Sequence, residues 1–175
     1  MSSALDGSSK GITFFQWMIL GTLTLTSTLY AMSMTIANIA LPQLQGALGA
    51  TQDQIAWTVT FNIIGTAILT PMTGWLTLRF GQRRLMLCAI FGFATSSILC
   101  GQANALPELV IYRVFQGAFG GPLVPLSQAI ILGVFPRRLH SFATAVWGMG
   151  VVCGPIIGPT VGGYISEAYS WRWIF

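Results

Sequence analysis

Long apolar segments alternate with short polar connections along the chain. Each segment is long enough for the roughly 20 residues that a helix needs to cross the hydrocarbon core of a membrane. The five segments lie at about 14–41, 55–77, 85–104, 109–134 and 141–165. Because the connections are short, consecutive helices should run antiparallel. The pattern predicts an all-α integral membrane protein with five transmembrane helices.

Composition supports the membrane assignment. Only 7% of the residues are charged, 54% are hydrophobic and the mean hydropathy is +0.72, whereas a soluble domain carries about a quarter charged residues. The net charge of +4 is concentrated in short arginine clusters between apolar segments. Clusters this local do not form a nucleic-acid-binding surface, so they are interpreted as topology signals.

The arginines occur in alternate connections. They lie at 78–84 and 136–140, whereas the connections at 43–54 and 105–108 carry only acids. By the positive-inside rule, the arginine connections and the amino terminus with Lys10 are predicted to be cytoplasmic. The other two connections should lie outside.

Polar residues on one face of the first segment are candidate cavity-lining residues. Thr28, Thr35 and Asn38 recur at helical spacing, and such a face suits a water-filled cavity. Alternatively, the hydroxyl groups bond to backbone carbonyls one turn earlier in their own helix and need no other partner. The sequence leaves both interpretations open.

Arg113 is the one charged residue well inside the fourth segment. A guanidinium stays protonated and is costly in lipid unless it is paired or hydrated. One alternative is that its side chain extends to the outer interface. However, Gly117, Gly120 and Gly121 share its face, and glycines permit close approach of another helix. This pattern favours a functional arginine that faces the bundle.

Glycines mark two further sites. In the fifth segment, glycines at a strict four-residue spacing and two prolines predict close helix packing and a bend at a contact between moving bundles. The ridge consists of Gly150, Gly154, Gly158 and Gly162, with Pro155 and Pro159 beside it. Between the second and third segments, Gly74 and Gly81 are predicted to bracket a tight cytoplasmic turn.

Several motifs together resemble the major facilitator superfamily, and within it the fourteen-span drug:proton antiporter branch of EmrB-like efflux pumps. The resemblance extends from Thr35 to Phe175. The motifs, in chain order, are TIANIALP, GWLTLRFGQRR, LVIYRVFQGAFGGP, GVVCGPIIGPTVGGY and WRWIF. Each falls on the segment where the family has it, which makes the combination far more specific than any single motif.

The resemblance implies roles for individual residues. Arg113, Gln116 and Gly117 would serve transport and coupling, with Arg113 facing the central cavity, where its charge favours proton loss from a neighbouring acid. The cytoplasmic loop motif would comprise Gly74, Arg79, Gly81, Arg83 and Arg84. The antiporter helix motif would comprise Gly150, Gly154, Pro155, Gly158, Gly162 and Gly163.

The resemblance also implies the function: multidrug efflux by proton-coupled antiport with alternating access, in a bacterial inner membrane. The expected partners are the lipid bilayer, small amphipathic or cationic substrates, protons and a periplasmic adaptor. No cofactor, metal or enzymatic activity is expected. The chain would form most of the amino-terminal half of the fold, with 166–175 as an outer loop and the start of a sixth span whose remainder is missing. The alternative is a truncated membrane scaffold that does not transport.

Two residues depart from the family pattern. Leu78 occupies the acidic position of the loop motif, and Ser33 occupies the position of an aspartate in the first span. No Asp or Glu lies well inside any of the five segments. For proton coupling, either a titrating carboxylate lies beyond Phe175 or the coupling differs from that of the family.

The predicted topology can be tested by single-cysteine labelling in a variant that lacks the native cysteines. A cysteine at position 82 should react with an impermeant reagent only after the membrane is opened, because 78–84 is predicted to be cytoplasmic. A cysteine at position 52 should react in intact cells. Labelling of position 82 from outside would contradict the topology.

Overall fold

The structure, a computed structural model, describes residues 12–175; Lys10 and the predicted location of the amino terminus fall outside the described residues. All regular secondary structure in this range is helical, and five helical stretches are long and apolar enough to cross a membrane. The predicted all-α membrane class is confirmed. The helices are α1 Phe14–Ile39, α2 Leu41–Leu48, α3 Gln52–Phe80, α4 Gln82–Gln102, α5 Leu106–Gly120, α6 Leu123–Val134 and α7 His140–Ala168, with 3-10 turns at Arg137–Leu139 and Trp171–Ile174.

Local hydrogen bonds determine where α3 begins. The Thr51 side chain accepts a hydrogen bond from the Gln54 backbone N–H at 3.3 Å, and the Gln54 side chain accepts one from the Thr51 N–H at 3.0 Å. This reciprocal pair satisfies two donors that would otherwise lack partners at a helix start. The connection before it, predicted at 43–54, is not extended. The helix α2 occupies much of it and ends at Leu48, followed by the capping residue Gly49, whose φ is +61°.

The connection between α3 and α4 is shorter than predicted. Only Gly81 separates the two helices, and its φ of +83° is a backbone conformation that glycine adopts without steric cost. Gly74 lies within α3. The prediction that Gly74 and Gly81 bracket the turn is therefore wrong, because a reversal this tight needs one left-handed residue rather than a loop. Pro71 likewise lies inside α3.

The fourth predicted span consists of two helices. The helix α5 ends at Gly120 and α6 begins at Leu123, with Gly121 and Pro122 between them. Proline has no backbone N–H and its ring clashes with the carbonyl group of the preceding turn. The hydropathy pattern could not reveal this break, because both helices are apolar and together make one membrane crossing.

Glycines on both helices bring α3 and α5 together. A Cβ added to Gly117 would collide with the Asn62 carbonyl oxygen, and one added to Gly65 would collide with the Val114 carbonyl oxygen. The backbones are therefore in direct contact at this crossing. The sequence pattern indicated Gly117 but not Gly65, because no glycine stripe marks the face of Gly65.

The glycine ridge of α7 packs against α1. An added Cβ would lie 2.7 Å from the Thr28 carbonyl oxygen at Gly154, and 2.6 Å from Thr35 Oγ1 at Gly158. Gly150 likewise lies against Thr24, and Gly162 lies against Ile36. The prediction that this ridge forms a contact between moving bundles is wrong, because a helix of the same bundle fills it. The helix α7 continues through Pro155 and Pro159.

Two of the last residues pack inside the bundle. Trp171 and Ile174 are buried in a cluster with Leu44, Ile55 and Leu109. Trp173, between them, is exposed. The predicted outer loop at 166–175 begins later than expected, because α7 extends to Ala168.

Replacing Gly154 with alanine should destabilise the chain. The added methyl group would press on the backbone of α1, and such overpacking costs about 1–3 kcal/mol. Gly163→Ala is the matched control on the same helix, because nothing lies within 4 Å of its added Cβ. The free energy of unfolding of both variants in lipid would be measured. Equal stabilities would show that α1 and α7 do not approach this closely.

Candidate functional site

Arg113 is enclosed within the helical bundle. It lies on α5 with only 1% of its surface exposed, and is among the largest fully buried side chains of the described residues. The alternative that it extends to the outer interface is therefore wrong. The expectation that it faces the central cavity of a transporter stays a prediction. The glycine stripe correctly indicated the side of the helix. It could not indicate that protein covers the guanidinium on every side.

A short hydrogen-bond chain holds the guanidinium. Arg113 Nη1 donates to Gln116 Oε1 at 2.7 Å, and Gln116 Nε2 donates to Ser97 Oγ at 2.7 Å. Gln116 lies one turn after Arg113 on α5, whereas Ser97 lies on α4. All three side chains are buried. The amide of Gln116 thus links the charge to the neighbouring helix through polar groups that carry no charge.

Asn62 completes the site from α3, and the sequence analysis did not single it out. Asn62 Nδ2 donates to the Arg113 carbonyl oxygen at 2.9 Å, and the side chain is 2% exposed. Within residues 12–175, Asn62 Oδ1 and Arg113 Nε have no hydrogen-bond partner. An asparagine within an apolar segment is costly in lipid, and this signal could have identified it.

An aromatic ring covers Arg113 from a distant part of the sequence. The guanidinium carbon lies 4.7 Å from the centre of the Phe175 ring. This distance is within the range of a cation–π interaction. The ring approaches from the last described residue, immediately after the 3-10 turn Trp171–Ile174.

The acidic residues of the described range do not pair with Arg113. Asp53, Glu108 and Glu167 are all exposed near helix ends. Glu108 Oε2 accepts a hydrogen bond from the Asn104 N–H at 3.1 Å, at the start of α5. The partners that the described residues supply to the Arg113 charge are therefore an amide and an aromatic face.

Gly117 has a packing role in this site. Besides admitting α3, its carbonyl oxygen accepts a hydrogen bond from Thr66 Oγ1 at 3.2 Å. The Thr66 hydroxyl is in turn 3.4 Å from the Tyr30 hydroxyl on α1. A polar path thus connects α1, α3 and α5 beside Arg113.

The threonines predicted to line a cavity lie against α7. Thr28 and Thr35 are half-buried at the glycine ridge, and their hydroxyls donate to carbonyl groups of their own helix, Thr24 O at 2.7 Å and Met32 O at 2.9 Å. The backbone-bonding alternative is therefore the one that the structure has. Asn38 Nδ2 also donates within α1, to Met34 O at 3.2 Å, but Asn38 is exposed. A cavity-lining role stays a prediction for Asn38 alone.

A second buried polar cluster was not anticipated. Trp147 Nε1 donates to Ser27 Oγ at 3.1 Å, and Ser27 Oγ donates to Ser127 Oγ at 3.1 Å. The three residues belong to α7, α1 and α6. These bonds join the second half of the fourth span to the α1–α7 pair, and single serines among apolar residues provide no periodic signal from which to predict them.

The loop-motif residues lie far from Arg113. Arg79, Arg83 and Arg84 are exposed around the α3–α4 turn. Arg83 and Ser97 are both on α4, about 20 Å apart along its axis. The predicted loop motif and the arginine site therefore occupy separate ends of the same helices.

Close helix pairs built on glycine, with a buried charge beside them, define the class as a helical-bundle membrane protein. A family model for the Major Facilitator Superfamily matches residues 23–175. The chain therefore belongs to the major facilitator superfamily, as its motifs predicted.

Curated relatives and a solved structure refine this assignment. The chain is 45% identical over 153 residues to the multidrug export protein EmrB of Haemophilus influenzae, and 42% identical over 153 residues to that of Escherichia coli. Each match covers 87% of this chain and 30% of the relative. The inward-open xylose transporter XylE of E. coli superimposes with a TM-score of 0.80 at 19% identity, covering 91% of this chain and 44% of XylE. The chain thus spans about a third of the EmrB length, and the proteins it resembles are transporters rather than enzymes.

Replacing Gln116 with leucine should destabilise the chain through the buried charge. The substitution keeps the bulk but removes the hydrogen bond to Arg113, and hydrogen bonds to charged groups contribute about 1.5–3 kcal/mol. The free energy of unfolding in lipid is the measurement. Gln128→Leu, at an exposed position of α6, is the control and should change it little.

The same effect should diminish when the charge is absent. In an Arg113→Met background, Gln116→Leu should lower the free energy of unfolding much less, since no buried guanidinium then loses its acceptor. An equal cost in both backgrounds would contradict the role of Gln116 as the acceptor for this charge.

Proposed function

We propose that the chain is the amino-terminal part of a multidrug efflux transporter that exports its substrates in exchange for protons by alternating access. The multidrug export proteins to which it is similar support this proposal. The expected substrates are small amphipathic or cationic compounds, and a periplasmic adaptor is the expected partner. The expected location is the bacterial inner membrane, with the amino terminus in the cytoplasm.

The observation that carries the proposal is the burial of Arg113 without an acid among residues 12–175. A buried charge that lacks an opposite charge lowers stability, and ionisable residues inside membrane segments mark ion and substrate pathways. Packing alone does not require a guanidinium at this position, because burying a leucine side chain there would cost less free energy. We therefore assign Arg113 to coupling.

Arg113 would act through its fixed positive charge. An acid that approaches a guanidinium is favoured in its ionised form, because the opposite charge stabilises the carboxylate. Approach would therefore promote proton release, and separation would promote proton uptake. Because Ser33 and Leu78 replace the family's acids, the titrating carboxylate would come from a later part of the transporter.

Ser33 and Leu78 also motivate the second candidate, a membrane scaffold that does not transport. Without those acids, both the proton site of the first span and the loop contact are altered. A scaffold would need the glycine contacts for folding but not the charge of Arg113. The two candidates therefore differ in whether the charge itself is required.

Substitution of Arg113 in the complete transporter distinguishes these candidates. Arg113→Gln should abolish efflux of a fluorescent cation against an imposed pH gradient, because the fixed charge is lost. Arg113→Lys should retain partial efflux, since lysine keeps the charge but lacks the planar fork and can lose its proton when desolvated.

Gln128→Ala, at an exposed position, controls for handling and expression, and the amount of each variant in the membrane would be measured. Efflux by Arg113→Gln equal to that of the unsubstituted protein would rule out the coupling role. Absence of efflux in the unsubstituted protein would favour the scaffold.

A further inference from the structure

We propose that the aromatic face of Phe175 takes the place of a counter-ion for Arg113, and that Arg172 is the residue that positions this ring. Phe175 contacts the guanidinium, whereas Arg172 acts through the segment 171–175. The contact stands independently of transport. Its functional meaning rests on the coupling role proposed above for Arg113.

The ring faces a guanidinium that has few other partners. The separation of 4.7 Å between the guanidinium carbon and the ring centre is well inside the roughly 6 Å limit of cation–π attraction. Arg113 Nη1 is bonded to Gln116, but Arg113 Nε has no hydrogen-bond partner in the part of the chain that the structure describes. The attraction is strongest when both groups are removed from water, and Arg113 is 1% exposed.

Arg172 fixes the segment that carries the ring. Its Nη1 donates to the Gly101 carbonyl oxygen at 3.0 Å, and its Nη2 donates to Asn104 Oδ1 at 3.2 Å. Gly101 lies in the last turn of α4, where unpaired carbonyl groups and the helix dipole favour a cation. Two hydrogen bonds from one planar guanidinium also fix orientation, which a single bond would not.

The backbone and the neighbouring side chains hold the same segment. A Cβ added to Gly101 would lie 2.8 Å from the Arg172 carbonyl oxygen, so the segment rests directly on the end of α4. Trp171 and Ile174 are buried on either side of Arg172. The ring of Phe175 is therefore placed by α4, the helix that also supplies Ser97 to the Gln116 link.

Both uncharged supports of Arg113 thus depend on α4. If segment 171–175 moves away from the end of this helix, the guanidinium loses the ring but keeps Gln116. An aromatic face stabilises a cation without forming an ion pair. A carboxylate that approaches Arg113 would therefore not have to displace another acid.

Cys100 provides a readout that does not require transport. Its side chain is fully buried in the cluster that contains Trp171 and Ile174, whereas Cys88 and Cys153 are exposed. With the two exposed cysteines replaced by alanine, the labelling rate of Cys100 by a membrane-permeant thiol reagent reports how often this region opens. The 175-residue chain in lipid nanodiscs would be used.

Stepwise fluorination of Phe175 separates ring electrostatics from ring size. Fluorine withdraws electron density from the ring face and hardly changes its shape, so the cation–π attraction weakens with each substitution. The Cys100 labelling rate should increase with each added fluorine, in equal steps on a logarithmic scale. With the trifluoro ring it should be about tenfold higher than with phenylalanine. Phe175→Leu should give a similar increase, whereas Phe175→Tyr should remain close to the unsubstituted chain.

Two controls separate this effect from packing. The same fluorinated series at Phe91, which is 69% exposed on α4, should not change the labelling rate. In an Arg113→Met background, fluorination of Phe175 should also have no effect, because no cation faces the ring. Comparison within each background removes any influence of Arg113 on the reactivity of the thiol itself.

Arg172→Met tests the positioning role. It should raise the Cys100 labelling rate. It should also remove the dependence of this rate on the fluorination of Phe175, because the ring would no longer lie over Arg113. If the Cys100 labelling rate does not change with fluorination while Arg113 is present, the assignment of Phe175 is overturned. The same holds if fluorination raises the rate equally in the Arg113→Met background. An unchanged rate and slope in Arg172→Met would overturn the role of Arg172. Neither result depends on whether the transporter exports drugs.

Discussion

The structure depends on one constraint: helices in lipid gain little hydrophobic free energy by associating, because the surrounding chains are as apolar as their side chains. Their contacts must therefore come from close backbone approach and from polar bonds between helices. Both appear here in the same places. Gly117 brings α5 onto α3, where Asn62 bonds to the Arg113 carbonyl group. Gly150 and Gly154 bring α7 onto α1, and Trp147 of α7 bonds to Ser27 of α1.

This arrangement makes a buried arginine tolerable without making it neutral. The α3–α5 contact keeps lipid away from Arg113, and the Gln116 amide and Phe175 ring stabilise its charge without cancelling it. In an ion pair, the negative charge of the partner would largely cancel the electrostatic potential of the arginine. A positive field that remains available inside the bundle is what a coupling role requires, and uncharged partners preserve it.

Hydropathy predicted the five membrane crossings, since spanning helices need long apolar segments whatever their neighbours. Spacing predicted that Arg113 and the α7 ridge lie on packed faces. Neither could identify the neighbour that covers a face, so a cavity remained an alternative for Thr35, which contacts Gly158. Asn62, Ser27 and Phe175 join their sites through long-range contacts. Such residues become recognisable only when the helices are paired in space.

The two ends of α4 consequently differ in kind. At its start, Gly81 and exposed arginines form a tight reversal whose basic residues face outward from the bundle. At its other end, Ser97 reaches Arg113 through Gln116, and the carbonyl group of Gly101 holds Arg172. A displacement of this helix relative to α5 would therefore change the surroundings of the buried charge through two separate connections. The helix α5 is also tied to α3 by Gly65, Gly117 and Asn62, so Arg113 is positioned from both of the helices that neighbour α5.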